Sequence, residues 1–320
     1  MNSNTELFDL QVDTCVVAFI DILGFADMLK DKSDSEIIDV YRGLKVALDE
    51  SLTEAEETLN GILNGTQLFF KKFENKDIEM PKFEVRQFSD NVYFSCKYTD
   101  EQSYIVSLLM IGIGSAMYQF RMMQKGYFVR GAISQGQSIQ DERVVFSQGL
   151  IAAYELESKI ALYPRIVIDK KVINSFHQSD QEDNFTRVIQ NCIAVDWAGI
   201  YFVDVFEILQ GLFQLIAFAA KDKTKTIQKI AQHVYPSEPI NIPDNVSEEE
   251  INDAPFEMID EIMKIVEQRI IQYKDQQQVK EKYLWLREYM QFHGKDVTKG
   301  SIEFITLDQE RNPEDYKTKK

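Results

Sequence analysis

The sequence predicts an α+β fold in which an antiparallel sheet carries helices on one face, in the order β-α-β-β-α-β. Three observations carry that expectation. Short runs rich in β-branched and aromatic residues alternate with long stretches of helical period. The composition, 44% hydrophobic and 12% aromatic with 14 glycines and 7 prolines in 320 residues, is that of a chain with a packed core. From Phe206 onward the pattern becomes almost wholly helical. At about 150 residues per domain, that change divides the chain into a sheet-bearing part, 1–205, and a helical extension, 206–320, packed on the same core or beside it.

Taken in order, Cys15 to Leu23 (CVVAFIDIL) reads as a buried central strand with one acid, Asp21, near its end. Ser33 and Glu36 open a helix as a capping box. Ile37, Ile38, Tyr41, Leu44, Val46 and Leu48 form its apolar face, and the helix extends as far as Leu63. A polar connection, Asn64 to Pro81, leads to two alternating strands, Lys82–Phe88 and Val92–Lys97, joined by a tight turn at Ser89-Asp90-Asn91. A second long helix fits Ser103–Lys125, followed by a strand at Tyr127–Ile133. Beyond it, Val144-Val145-Phe146 leads into a helix from Ser147 to Ala161, then a strand at Arg165–Ile168 and a short helix. A hairpin lies between Cys192 and Val205, and helices fit Phe206–Ala220 and Thr224–His233. After a Pro-spaced loop, Ser247–Phe292 is helical with Ile259, Ile262, Met263, Val266 and Ile270 on one side; the tail from Asp308 is charged and frayed.

The net charge of −17 argues against a nucleic-acid polymer or an anionic membrane surface as partner, because both favour clustered Lys and Arg. It does not exclude a nucleotide, whose triphosphate a carboxylate site can hold through divalent ions. Cys15, Cys96 and Cys192 are few, odd in number and far apart, so they read as buried thiols and not as disulfides or a zinc site. The first ten residues carry acids where a secretory leader would be basic, and the apolar run Tyr104–Met117 is short for a membrane span. A cytoplasmic protein is the expectation.

Two acids stand out. Asp21 sits inside an apolar strand, and Asp90 occupies a turn between strands expected to neighbour it. Both carboxylates then converge on one spot, where uncompensated charge is costly and a Mg²⁺ or Mn²⁺ ion would relieve it. The strand-to-helix junction Ile22-Leu23-Gly24-Phe25 places backbone N–H groups beside them, suited to phosphate oxygens.

Four segments, in order, resemble the class III nucleotidyl cyclases. Phe19-Ile20-Asp21-Ile22-Leu23-Gly24-Phe25 is similar to their F-x-D-I-x-G-F metal and phosphate segment, and Phe88-Ser89-Asp90-Asn91 to their second metal-aspartate turn. Val129 to Gly136 resembles their R-x-G-I-x-x-G strand and turn, and Phe146 to Ser158 follows the spacing of their G-x-x-V-N-x-A-x-R-L-E-S helix. The resemblance covers roughly residues 12–175. It implies a ferredoxin-like core and a homodimer with sites shared between protomers. It also implies two divalent ions on Asp21, the Ile22 carbonyl and Asp90, with phosphates held at Leu23, Gly24 and Phe25. The reaction implied is attack of the ribose 3′-oxygen on the α-phosphorus with loss of pyrophosphate. Apolar faces on the helices at Ser103–Lys125 and Ser247–Phe292 offer surface for the dimer.

The chain departs from that pattern where the family's last helix supplies an Asn and a transition-state Arg: Ile151 and Glu155 stand there. Arg130, Lys159 and Arg165 are the candidate replacements, Arg130 foremost because it lies inside a matching motif. At the base-reading position stands Arg86, a donor-only group that suits pyrimidine acceptors; the companion position is an apolar Val144 or Val145, and Tyr41 limits depth. These features resemble the bacterial pyrimidine cyclases of Pycsar anti-phage defence, which implies UTP or CTP as substrate, with UTP favoured. The alternatives are an inactive cyclase-like module that binds a nucleotide or partner, and a purine cyclase. A diguanylate-cyclase-like enzyme is disfavoured, because the hairpin lacks G-G-[DE]-E-F.

Overall fold

The structure, a computed structural model, describes residues 11–69, 81–141, 143–177, 189–222, 248–294 and 304–311. Its first strand, β1 (Asp13–Ile22), is hydrogen-bonded on both sides, to β3 (Asn91–Tyr98) and to β4 (Val129–Gln140), both antiparallel. Four of its consecutive residues, Cys15 to Ala18, are fully buried, as a near-continuous apolar strand in a covered sheet should be. β2 (Phe83–Phe88) forms one edge beside β3. On the other side follow β6 (Ile166–Ile168), β8 (Tyr201–Val203), β7 (Ile193–Val195) and β9 (Ile305–Thr306), while β5 (Val145–Ser147) pairs with the far end of β4.

The fold is α+β, with a sheet that is mixed where an antiparallel one was expected: β4 and β6 run parallel. The chain returns from β4 through β5 and α4 (Gln148–Lys159) before entering β6 in the same direction, and a parallel pair requires such a crossover. Helices also cover both faces. Phe94, cross-strand partner of Ala18, meets Tyr118 of α3 (Glu101–Gln124), whereas Val17 and Phe19 face Gly149 and Tyr154 of α4. α4 approaches the sheet this closely because two glycines meet. A Cβ on Gly136 would lie 2.7 Å from the Gly149 amide nitrogen. Gly136 is therefore a mid-strand residue opposite Cys15, where a turn was expected.

α1 (Phe25–Leu29) is a single short turn, and α2 (Asp34–Phe69) runs into the stretch expected to be a polar connection. Its start is fixed by Glu36, whose Oε2 accepts from the Ser33 amide at 2.8 Å and the Ser33 hydroxyl at 2.7 Å. The buried face of α2 is rotated from the one expected. Val40, Leu44, Ala47, Leu48, Ala55 and Leu59 are buried at helical spacing, while Ile37, Ile38, Tyr41 and Val46 are exposed. The expected set mixed the two faces because apolar residues occur on both. α3 opens with a reciprocal cap: Ser103 N–H donates to Asp100 at 2.7 Å, and the Asp100 amide donates to Ser103 Oγ at 3.0 Å.

Among the described residues α3 alone is long and apolar enough to cross a membrane, and 89% of that stretch is buried inside the molecule. It is the core helix. Its apolar surface, and that of α7 (Glu248–Gln272), is buried internally: Ile259, Ile262 and Val266 join one core cluster with Met110 and Ile113. α5 (Lys170–His177), α6 (Val205–Asp222), α8 (Gln277–His293) and α9 (Leu307–Arg311) complete the described elements. The tail expected to fray from Asp308 instead opens inside a helical turn, just after β9, which pairs with β7. The helix expected at Thr224–His233 and the Pro-spaced loop lie outside the described residues. All three cysteines are unpaired thiols.

Candidate active site

Asp21 is the penultimate residue of β1 and sits directly opposite Arg130 of β4. On the other flank Ile20 pairs with Val92, so the two-residue turn Ser89-Asp90, closed by the Phe88–Asn91 pair, stands beside the end of β1. Ser89 adopts the left-handed conformation at φ 56°, as a tight hairpin requires of one of its turn residues. Asp21 and Asp90 therefore meet at one end of adjacent strands.

Arg130 Nε and Nη2 both lie 3.3 Å from Asp21 Oδ2, and Nε is 2.7 Å from Glu157 Oε1 in an ion pair. Glu157 is the third in a line of buried α4 residues spaced four apart, Gly149, Ala153 and Glu157. Its other carboxyl oxygen accepts from Ser158 Oγ at 3.0 Å. One guanidinium thus serves two carboxylates, with Asp90 close by. Burial, and after it the charge of Glu157, pushes the Asp21 carboxyl up to about 6; Arg130 pulls it down and Asp90 adds to the rise. Negative charge here exceeds what Arg130 cancels.

That donor set fits a hard divalent cation such as Mg²⁺ or Mn²⁺, which prefers carboxylate oxygen and would relieve the excess. Asp21 and Asp90 are the residues to hold it, with the carbonyl of Ile22 adjacent. Among the described residues no group of three or more His, Cys, Asp or Glu side chains is already arranged as a metal cluster.

The junction after β1 turns on Gly24, at φ 73° and ψ 22°, a conformation that favours glycine. The Leu23 amide donates to the Phe128 carbonyl at 2.8 Å, so that N–H belongs to the sheet; Gly24 and Phe25 begin α1 beyond it.

Arg86 pairs with Tyr93, which pairs with Phe19, so its side chain emerges on the same sheet face as Asp21. Its Nη2 contacts the Asp141 carbonyl oxygen in the β4–β5 turn, which brings it beside Val144. Tyr41 is 59% exposed on α2. The other two candidate cations are placed elsewhere. Arg165 is buried, bonded to Asp196 Oδ2 at 2.6 Å, with its guanidinium 5.1 Å from the Trp285 ring centre and 5.2 Å from that of Phe202. Lys159 is exposed and pairs with Glu155 at 3.4 Å. Ile151 and Glu155 lie on the exposed side of α4.

Two residues near the site escaped the sequence reading. Glu157 had a signal, an acid four residues after Ala153 on the buried side of an amphipathic helix. Lys282 of α8 had none, since only the tertiary fold brings it near. Its ammonium is pulled below the usual lysine range by burial and then by Arg130, while Asp21 and Glu157 act in the opposite sense. No family model matches the chain, and no curated protein does.

Proposed function

We propose that this chain is a class III-type nucleotide cyclase acting on a pyrimidine nucleoside triphosphate, UTP ahead of CTP, to give the 3′,5′-cyclic nucleotide and pyrophosphate. The observation that carries the reading is the convergence of Asp21 and Asp90 at the end of β1, where burial first and the neighbouring Glu157 carboxylate second raise Asp21 to about 6 despite Arg130. When bound there, a divalent ion would lower the pKa of the ribose 3′-hydroxyl and neutralise triphosphate charge. Asp21 and Asp90 would hold that ion. Arg130 fixes the Asp21 carboxylate by donating to Oδ2, and Glu157 fixes Arg130 from behind. Backbone N–H groups at Gly24 and Phe25 would face phosphate oxygens without needing a positive side chain. Arg86, braced on the β4–β5 turn, presents donors to O2 and O4 of uracil, and Tyr41 restricts the base by bulk.

The reading includes a homodimer, and the exposed apolar side chains of α4 and β5 support it. Phe146, Ile151 and Tyr154 are 72%, 61% and 55% exposed, and Val144, two residues before Phe146, is 45% exposed. An apolar patch of that kind on one side of α4 and β5 suits a second copy of the chain. The role as a second-messenger synthase in anti-phage defence rests on the resemblance alone. The inactive-module reading draws on Ile151 and Glu155, which bring no cation to α4. Incubation with each of UTP, CTP, ATP and GTP in Mn²⁺, with pyrophosphate and cyclic products measured, decides between these readings and a purine cyclase.

A further inference from the structure

α8 reaches the candidate site from the helical part of the chain. Tyr283 is buried edge-to-face against Phe128, with ring centres 5.2 Å apart, and the Phe128 carbonyl is the group that accepts the Leu23 amide. Phe128 directly precedes β4, two residues before Arg130. The first half of α8 is therefore pinned at the end of the β1–β4 pair where Asp21 lies. Lys282, next to Tyr283, is half-buried there, and its charged neighbours are Arg130, Asp21 and Glu157.

The two cations are not equally available to a ligand. Arg130 is held by Asp21 and Glu157 together, and turning it toward a phosphate would strip both carboxylates of their partner. Lys282 has no ion pair among the described residues. A lysine ammonium on a flexible stem is a compact charge with three donors, well suited to phosphate oxygens. α4 brings only Ile151 and Glu155 where a cation is needed.

We propose that Lys282, delivered by α8 within the same chain, is the phosphate-facing cation of the Asp21–Asp90 site. The inference rests on the reading of that site as a nucleotide site. The helical extension thereby takes part in catalysis, because it completes the charge complement that the sheet and α4 leave short. During cyclisation charge builds on the α-phosphate oxygens and on the departing pyrophosphate, and Lys282 meets it there.

The test uses the full chain with Mn²⁺ and compares wild type, Lys282→Met, Lys282→Arg and Lys274→Met, the last an exposed lysine in the α7–α8 turn. Methionine keeps the apolar stem, and melting temperatures are read alongside to show that each variant folds. The expected result is a kcat lower by roughly 10²-fold in Lys282→Met, recovered to within about tenfold by Lys282→Arg, with Lys274→Met unchanged. Wild-type kcat and KM in Lys282→Met would overturn the inference while leaving the cyclase reading intact. If the wild type turns over none of the four nucleotides, the cyclase reading falls, and calorimetry with inorganic tripolyphosphate and Mn²⁺ decides. Binding weakened tenfold or more by Lys282→Met supports the phosphate-facing role, and equal binding overturns it. Should Lys282→Met fail to fold, Lys282→Gln replaces it with the same expected outcomes.

Discussion

At the scale of single residues, the proposed function would set catalytic need against stability in the Asp21–Arg130–Glu157 cluster. An ionised carboxylate held near pH 6 is unfavourable in the metal-free fold, so Asp21→Asn should remove turnover and yet raise the metal-free chain's stability at pH 7.5 by about 1–2 kcal/mol. Urea unfolding of the two proteins in chelator checks this; a clear loss of stability in the variant would show the carboxylate to be structural. Glu54 of α2 shows the same sign away from the site. Burial lifts it to about 7 against the opposing pull of Arg121. Its folded value lies above its unfolded one, so the stability it contributes is complete below about pH 4.5 and is lost as pH rises through 7. Glu54→Gln should flatten that part of the stability–pH curve, measured by thermal melts between pH 4 and 8. Sequence reading located Asp21 and Asp90 because an acid in an apolar strand or a strand turn is locally conspicuous. Glu157 was less visible and Lys282 invisible, because their significance lies in which strand end the helices carry them to.

At the scale of elements, two contacts hold the crossover and the helical extension to the sheet. The Gly136–Gly149 approach lets α4 rest on β4, and with it Glu157 on Arg130. Gly136→Ala forces a Cβ against backbone, so it should cost about 1–3 kcal/mol and lower activity by displacing α4; denaturant midpoints and turnover together check it. On the far side Asp204 receives Tyr289 OH at 2.6 Å and lies 3.1 Å from His293 Nε2, tying α8 to the start of α6. The pair holds Asp204 below the usual carboxylate range and His293 above the usual imidazole range, although burial opposes both. Asp204→Ala leaves a buried imidazole and phenol without that partner and should cost about 3–5 kcal/mol by the same measurement. The strands and most helices were legible from period and capping residues. The parallel β4–β6 pairing and the rotated face of α2 were not. Strand direction depends on the path of a crossover, and apolar residues on both sides of α2 leave its period ambiguous.

For the whole molecule, exposed apolar side chains among the described residues occur at several places, and those of α4 and β5 (Phe146, Ile151, Tyr154) lie within the Phe146–Ser158 segment, whereas most of α3 is taken up in the core. Light scattering should therefore give a dimer in dilute solution, and Phe146→Glu with Ile151→Glu should yield monomers of native secondary structure. A wild-type monomer that still turns over would contradict a shared site. The proposed base choice belongs to this scale as well, because Arg86 is placed by the meeting of β2 with the β4–β5 turn. Arg86→Ala should weaken pyrimidine turnover at least tenfold and leave Mn²⁺ binding intact, and Tyr41→Ala should admit purines. The central claim is tested most directly by offering the wild-type chain each of UTP, CTP, ATP and GTP with Mn²⁺ and measuring pyrophosphate and cyclic nucleotide. The account predicts cyclic UMP, then cyclic CMP, well above the purine products. Cyclic AMP or cyclic GMP as the main product would contradict the base assignment, and no product from any of the four would contradict the site itself.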